Sequence, residues 1–405
     1  MRRILFVDDD PDVLDGLRDS LRAQRRQWQM VFACGGPAAL AQLASSGPFD
    51  IVVSDMRMPE MDGAEFLTHV KHINPRATRI VLSGQAEQEL LHRAMTVAHR
   101  YLSKPLPAGM LRQVLEEACA LRELLPVPGL QERIGNLDTS ATCPPAHWEL
   151  LRTLAAPGVG LVELARVMER NRALESRTLH AASLPLFGSS QRIGTLDGAI
   201  ELLGIRLVRC IALATHAYSS GLLASPIPGF APDELHFEAL TVAAIASLLV
   251  PHSKITSDVL TSAVLRNVGQ MVLALSARVQ FEQAVALHLA TKCALQSVER
   301  EVLGAAHAQA GAFLLGSWGL PDAIVQAVAR HLDPPVSGDL TSVTHVVQVA
   351  AALAAERSHP QQRREGDGGS CHSAIEELGT PLEVQRWREL AASIRGWNAL
   401  CKASS

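Results

Sequence analysis

The chain has 405 residues, of which 48% are hydrophobic and 4% aromatic, and it carries a formal net charge of −4. This length predicts two or three domains with sizeable cores rather than one domain. The slightly acidic balance gives no whole-chain signature of a nucleic-acid-binding protein. The seven cysteines include no Cys-x-x-Cys pair, which argues against a zinc ribbon or a disulfide framework and suits a reducing compartment.

No export or membrane segment is expected. The N-terminus turns acidic at Asp8, too early for a secretory signal peptide. The longest apolar stretch runs from Ala239 to Val250 and is too short to cross a bilayer as a helix. We therefore expect a cytoplasmic protein with no membrane partner.

The N-terminal region, residues 1–123, alternates short apolar runs with segments of helical pattern. The apolar runs predict strands that are buried on both faces. Because helical segments separate them, the pattern predicts an α/β fold with a doubly wound sheet of five parallel strands. The predicted strands are Ile4–Val7, Met30–Ala33, Ile51–Val53, Arg79–Gly84 and Tyr101–Leu102, and the last two helices are predicted at 87–97 and 110–119.

Polar side chains follow the predicted strands where ligand chemistry is expected in an open parallel sheet. Asp8 and Asp9 follow the first strand, Asp55 the third, Ser83 the fourth and Lys104 the fifth. Three crowded carboxylates favour a hard cation such as Mg²⁺. With the cation bound, one carboxylate is free to attack a phosphorus centre and form an acyl phosphate. The hydroxyl and the ammonium group would then bind the phosphoryl oxygens.

With these residues in this order, residues 1–123 resemble a response-regulator receiver domain, which is a flavodoxin-like fold. The resemblance implies that Asp55 is the phosphoacceptor. It also implies that Asp8, Asp9, Asp55 and the backbone carbonyl of Arg57 bind Mg²⁺. Three further pairs match the family: Met58-Pro59, Asp62-Gly63 and Lys104-Pro105.

The same resemblance implies a conformational switch. Ser83 is the switch hydroxyl, Lys104 is the lysine that contacts the phosphoryl group, and Tyr101 is the aromatic residue that moves inward. The Lys104-Pro105 bond is expected to be cis, since cis peptide bonds are essentially confined to proline. The face from about Glu87 to Leu121 is the expected output or homodimer surface. The implied partner upstream is a histidine kinase or a phosphotransfer protein.

The rest of the chain reads as helical, with short loops and no convincing strand alternation. Residues 124–144 contain prolines and polar residues and are predicted to be a linker. Residues 145–335 form the predicted helical output domain. Residues 336–405 are predicted to be a helical extension, in which 358–371 is disordered because it is polar and rich in glycine and arginine.

The helical region resembles the HDOD domain, a degenerate relative of the HD phosphohydrolase fold. The stretch from His307 to Pro321, which ends in Trp-Gly-Leu-Pro, is the most specific match. The stretches Ala199–Arg206 and Ala327–Pro334 match in register. The resemblance implies an all-helical domain that serves as the output of the receiver.

The positions that bind metal in an HD hydrolase have changed in this chain. Such an enzyme needs an adjacent His and Asp to hold divalent metal. Arg266 and Asn267 stand at those positions, and Ala239 stands at the upstream histidine position. His307 and His331 are retained, but we expect them to be packed helix residues rather than ligands.

The leading interpretation is a phosphorylation-controlled signalling protein of a two-component system whose HDOD domain binds a partner protein without catalysis. The first alternative is a cyclic-dinucleotide phosphodiesterase, which the loss of the His-Asp pair disfavours. A nucleotide-binding sensor that uses the groove near Arg266, His307 and His331 is a second alternative. A transcription factor is a third, although no basic helix-turn-helix is evident and no nucleic-acid partner is expected.

Overall fold

The computed structural model describes residues 1–83, 97–106, 109–137, 168, 174–175, 178–179, 182, 195–218, 223–251, 253–334, 340–358 and 371–392. The chain divides into two compact units. The first consists of 1–142, 275–278 and 312–322, and the second of 143–274, 279–311 and 323–405.

The first unit is built on a parallel sheet of five strands in the order β2-β1-β3-β4-β5. The central strand β3 is buried along its whole length, as its run of branched residues predicts. The predicted doubly wound sheet is therefore confirmed. The strands are β1 (Arg2–Asp8), β2 (Trp28–Cys34), β3 (Ile51–Asp55), β4 (Thr78–Ser83) and β5 (Arg100–Ser103).

Helices cover both faces of this sheet. Alternate residues of β1 and β3 belong to two different hydrophobic clusters, so each face has its own core. The helix predicted at 87–97 lies, apart from its last residue, outside the described residues. The helices described in this unit are α1 (Pro11–Ser20), α2 (Gly36–Ser46), α3 (Gly63–Ile73), α4 (Met110–Leu124) and α5 (Pro128–Gly135), with a 3-10 turn at Arg22–Arg26.

Helix α5 lies where the sequence predicts a linker. Pro128 occupies its first turn, where a proline costs nothing because that N–H has no helical partner. Leu130 and Ile134 are buried. The side-chain amide of Gln131 donates to the carbonyl of Leu125 at 2.6 Å. The segment after α4 therefore adds a helix to the first unit.

Helices continue from residue 196 to 392 in the described part of the chain, mostly in the second unit. Helix α7 packs against α6, α8 and α14, and it is buried on most sides, which marks it as a core helix. The helices are α6 (Leu196–Ala217), α7 (Pro232–Leu249), α8 (Thr256–Leu265), α9 (Val268–Ser276), α10 (Arg278–Thr291), α11 (Leu295–Leu303), α12 (His307–Ser317), α13 (Asp322–Arg330), α14 (Val343–Ser358), α15 (Cys371–Leu378) and α16 (Pro381–Ala392).

Two helices predicted as continuous are each divided in the structure. The pattern from Ser257 to Leu275 predicts one helix, but α8 ends at Leu265 and α9 begins at Val268. The pattern from Ser297 to Trp318 also predicts one helix. It is broken at Gly304, which adopts φ +77 and ends α11 in the left-handed region that favours glycine. The segment predicted as disordered, 358–371, falls almost wholly outside the described residues.

Within the described residues, one stretch is long and apolar enough to cross a membrane, although no such stretch is expected from the sequence. It runs from Thr256 to Ser276 and is not the apolar stretch from Ala239 to Val250. In its most apolar window, 83% of the residues are buried inside the protein. A core helix passes the same test, so this stretch is weak evidence for a membrane segment.

Candidate functional site

The carboxyl edge of the sheet brings three of the predicted site residues together. Val7 of β1 is paired with Ser54 of β3, so Asp8 and Asp55 leave the sheet side by side. The Nζ atom of Lys104, which follows β5, lies 3.0 Å from Asp8 Oδ2. It also donates to Asp55 Oδ1. The two carboxylates thus share one ammonium group.

Backbone amides hold both carboxylates in place. The N–H of Arg57 donates to Asp55 Oδ2 at 2.7 Å, and the N–H of Asp10 donates to Asp8 Oδ1 at 3.0 Å. Gly63 lets the loop after β3 pass close to Asp55. Any side chain there would clash, because its Cβ atom would lie 2.2 Å from the carbonyl oxygen of Asp55. Asp62 caps α3 by accepting from Glu65 N–H at 2.8 Å. The Asp-Gly pair therefore shapes the loop beside Asp55.

Burial and charge act in opposite directions on this cluster. Asp8 is 3% exposed and Asp55 is 8% exposed. Burial raises the pKa of Asp55, although the hydrogen bond and the charge of Lys104 oppose that rise. Burial lowers the pKa of Lys104, but bonds to Asp55 and Asp8 outweigh it, and the pKa is raised. The lysine therefore stays protonated between the two carboxylates.

The other predicted receiver residues lie around this cluster. Ser83 ends β4 and is buried, and its carbonyl accepts from Lys104 N–H at 2.8 Å. The Lys104-Pro105 bond is cis, as predicted. The hydroxyl of Tyr101 is buried and has no hydrogen-bond partner within the described residues. Burial raises the pKa of this phenol.

The predicted magnesium ligands are brought together only in part. Asp8 and Asp55 converge, whereas Asp9 is exposed. Among the residues that the structure describes, no three His, Cys, Asp or Glu side chains form a set that could hold a metal ion. The donor types still suit Mg²⁺, which is typically bound through one or two carboxylates, waters and phosphate oxygens.

In the second unit, a salt bridge stands where an HD hydrolase would hold its metal. The guanidinium group of Arg266 pairs with Glu238 Oε1 on α7. The side-chain amide of Asn267 donates to Glu238 Oε2 at 3.3 Å. Ala239, the next residue on α7, is fully buried. Arg266 and Asn267 thus both bind the carboxylate of Glu238.

The two retained histidines lie next to each other. The rings of His307 and His331 have centroids 5.7 Å apart. His307 Nδ1 lies 2.6 Å from Glu299 Oε2, and His331 Nδ1 lies 2.8 Å from the carbonyl oxygen of Val328. Both Nε2 atoms are buried without a hydrogen-bond partner in the described part of the chain. Burial lowers the pKa of His331 well below its usual value, and the charges of His307 and Arg266 add to this.

Sequence reasoning missed two of these partners. Glu238 directly precedes Ala239, the position matched to the lost histidine, and an acidic residue there was the available signal. Glu299 is fully buried beneath His307. It lies in a segment of ordinary amphipathic pattern, which gives no sign that one of its carboxylates is buried.

Comparison with protein families supports the two resemblances. Residues 4–116 match the response regulator receiver domain, and residues 141–334 match the HDOD domain. The chain is a response regulator with a receiver domain followed by an HDOD domain. Its receiver domain indicates two-component signalling. A receiver is not an enzyme in the ordinary sense, and HDOD domains are related to the HD fold.

Curated relatives match only part of this response regulator. The transcriptional regulatory protein ZraR of Salmonella typhimurium is 33% identical over 187 residues, which is 44% of this chain and 41% of the relative. The uncharacterized transcriptional regulatory protein YesN of Bacillus subtilis is 34% identical over 128 residues, 30% of this chain and 33% of the relative. The chain thus spans about two fifths or less of the length of these relatives.

Solved structures show the fold of the helical part. A protein of Shewanella amazonensis with a provisional phosphohydrolase name aligns over 68% of this chain and 97% of its own, with a TM-score of 0.52 and 19% identity. An HDOD domain protein of unknown function from Geobacter sulfurreducens aligns over 65% of this chain and 91% of its own, with a TM-score of 0.49 and 20% identity. At this identity, the first likeness shows the fold alone.

Proposed function

We propose that this response regulator is switched by phosphorylation of Asp55 in the presence of Mg²⁺, and that its HDOD domain then acts by binding a partner protein. The observation that carries the first part is the contact of the buried Asp55 and Asp8 with Lys104 at the carboxyl edge of the sheet. A buried carboxylate beside a protonated lysine suits a nucleophile whose product carries extra negative charge.

The proposed reaction is a phosphoryl transfer from a phosphohistidine. A carboxylate oxygen of Asp55 attacks the phosphorus, a P–O bond forms as the P–N bond breaks, and the imidazole nitrogen takes up a proton from solvent. Lys104 and the hydroxyl of Ser83 hydrogen-bond to the phosphoryl oxygens. Asp8, Asp9, Asp55 and the carbonyl of Arg57 would hold Mg²⁺, which neutralises charge on the phosphoryl group.

Intact-mass analysis after treatment with acetyl phosphate tests this step. The full-length wild type should gain one phosphoryl group in the presence of Mg²⁺, and Asp55→Asn should not. Asp15→Asn is a matched control, because Asp15 is an exposed aspartate on α1 of the same unit. It should react as the wild type does. Equal labelling of Asp55→Asn and wild type would refute the assignment.

The second part of the proposal is supported by the salt bridge of Arg266 with Glu238. The guanidinium group of Arg266 pairs with the carboxylate of Glu238 and places a positive charge where an HD hydrolase holds metal. This arrangement disfavours the phosphodiesterase alternative and leaves partner binding as the output. The proposed setting is the cytoplasm, where the upstream kinase domain would be found.

A comparative pull-down from a lysate of the host tests the output. One bait is the full-length wild type with Mg²⁺ and beryllofluoride, which mimics the acyl phosphate, and the other is Asp55→Asn. A partner retained by only one bait is the expected result, and Asp15→Asn with beryllofluoride should behave as the wild type does. Identical partner lists would contradict a phosphorylation-controlled output.

A further inference from the structure

Arg100, at the start of β5, makes a contact that the proposed function does not use. Its side chain is 6% exposed and lies in the first unit beside residues 312–322 of the same unit. Nε donates to the carbonyl oxygen of Gly316 at 3.2 Å, and Nη2 donates to it at 2.5 Å. Nη1 pairs with Glu117 Oε2 on α4 at 2.9 Å. The guanidinium group thus binds both a helix carbonyl and a carboxylate.

The carbonyl of Gly316 is a suitable acceptor because it lies in the last turn of α12. Carbonyls in a last turn have no partner within the helix and carry the negative end of the helix dipole. Here the carbonyl of Gly316 also accepts from Gly319 N–H at 3.0 Å. A buried cation at this point is therefore favoured by charge as well as by hydrogen bonding.

The packing around this contact depends on two glycines. A Cβ atom at Gly316 would lie 2.0 Å from Leu121 Cδ2 of α4. Gly319 has φ +79, which favours glycine, and a Cβ there would lie 3.5 Å from the side chain of Arg100. The Gly-Ser-Trp-Gly segment thus fits closely against β5 and α4.

Strand β5 connects this contact to the phosphorylation site. The strand has four residues, with Arg100 at one end, and Lys104 follows the other end. Lys104 contacts Asp55 directly, so a phosphoryl group placed between them must displace the lysine. Tyr101, next to Arg100, has a buried hydroxyl without a partner in the described residues, and a rearrangement that supplied one would be favourable.

We infer that Arg100 is a latch, which holds residues 312–322 against β5 and α4 while Asp55 is unmodified and releases them when Asp55 is phosphorylated. This inference rests on the proposed function for its trigger. In this view, the C-terminal turn of α12 covers the surface formed by β5 and α4. Release would expose that turn together with the surface it covers.

Hydrogen exchange of the full-length chain tests the latch through two peptides. The peptide over 312–322 reports the latch, and the peptide over 52–63 reports whether the Asp55 site has bound beryllofluoride and Mg²⁺. Arg100→Gln should speed exchange in 312–322 about tenfold, as should beryllofluoride on the wild type. Beryllofluoride should add nothing further to Arg100→Gln. Arg112→Gln, at an exposed position of α4, is the control and should match the wild type.

A second variant disturbs the same contact by a substitution in α12 instead of β5. Gly316→Ala places a methyl group against Leu121 and should speed exchange in 312–322 without touching β5. If the peptide over 312–322 exchanged at the wild-type rate in both Arg100→Gln and Gly316→Ala, the latch would be overturned. Protection of 52–63 by beryllofluoride with no change in 312–322 would also overturn it, and the proposed function would stand. If 52–63 does not respond, the proposed function fails, and the two variants still decide whether Arg100 holds the segment.

Discussion

Lys104 contacts two buried carboxylates at once, and this influences the ionisation of Asp55. Burial already raises the pKa of Asp55, with Lys104 opposing the rise. Lys104→Met should raise that pKa further, because the opposing charge is lost. Since only the ionised carboxylate attacks phosphorus, labelling by acetyl phosphate should begin to fail at a higher pH than in the wild type.

The measurement is the initial rate of labelling between pH 5 and pH 8, monitored by intact mass. Lys254→Met is the control, because Lys254 is exposed and lies in the second unit. Its pH profile should coincide with that of the wild type. A Lys104→Met protein whose profile keeps its shape and midpoint would show that Lys104 does not tune Asp55.

His331 makes the stability of the second unit depend on pH. Its pKa in the folded state is far below the usual value of 6.5, mainly because of burial. Above pH 6.5 the residue is neutral in both states and contributes nothing. Below that pH the unfolded chain binds a proton that the folded chain does not, so stability falls, at up to about 1.4 kcal/mol per pH unit.

Urea unfolding at several values between pH 5 and pH 7.5 measures this effect. His331→Gln should show a shallower loss of stability towards acid pH than the wild type. His72→Gln, at an exposed position of α3, should keep the wild-type dependence. If His331→Gln loses stability as steeply as the wild type, the acid sensitivity arises from other groups.

At the scale of elements, substitution by alanine should have opposite effects on stability at two glycines of the first unit, because their surroundings differ. Gly63→Ala brings a methyl group within 2.2 Å of the Asp55 carbonyl oxygen, so the backbone beside the site must shift. We expect a loss of about 1–3 kcal/mol, as for other overpacked sites. Gly16→Ala meets nothing within 4 Å and lies in α1, so it should stabilise by roughly 0.5–1 kcal/mol.

Chemical denaturation of the two variants gives both values, and acetyl phosphate labelling shows whether the Asp55 site survives. Gly63→Ala should also label more slowly than wild type, whereas Gly16→Ala should label normally. An unchanged stability of Gly63→Ala would mean that the loop relaxes without strain.

The elements also show which features can be predicted from the sequence. The inner strands β1, β3 and β4 are mostly buried on both faces, so pattern and position agree there, whereas the edge strand β2 is only partly buried. Asp8, Asp55 and Lys104 meet because parallel strands end at one edge. The break between α8 and α9 was missed, because Arg266 and Asn267 sit in an uninterrupted helical pattern. Both side chains bind Glu238, which lies on a different helix, α7. The periodicity of a sequence does not reveal such a contact between helices.

For the whole molecule, ligand binding at the Asp55 site should appear as added thermal stability. A ligand that binds only the folded state stabilises it by about 2.7 kcal/mol at a free concentration of 100 times its Kd. For a separately melting unit of roughly 150–250 residues, such as the first unit, 1 kcal/mol shifts the Tm by roughly 2–4 °C, so the Tm of that unit should rise by roughly 5 °C or more. The full-length wild type with Mg²⁺ and beryllofluoride should therefore melt later than the protein alone.

Calorimetry of matched samples provides the test, because each component can be removed in turn. EDTA should abolish the shift, since the buried carboxylates need a cation to accept a further anion beside them. Asp55→Asn should show no shift, and Asp15→Asn should show the full one. A shift that survives both EDTA and Asp55→Asn would place beryllofluoride elsewhere on the protein. The pairing of Asp8 and Asp55 around Lys104 would then be a structural ion pair rather than a phosphorylation site.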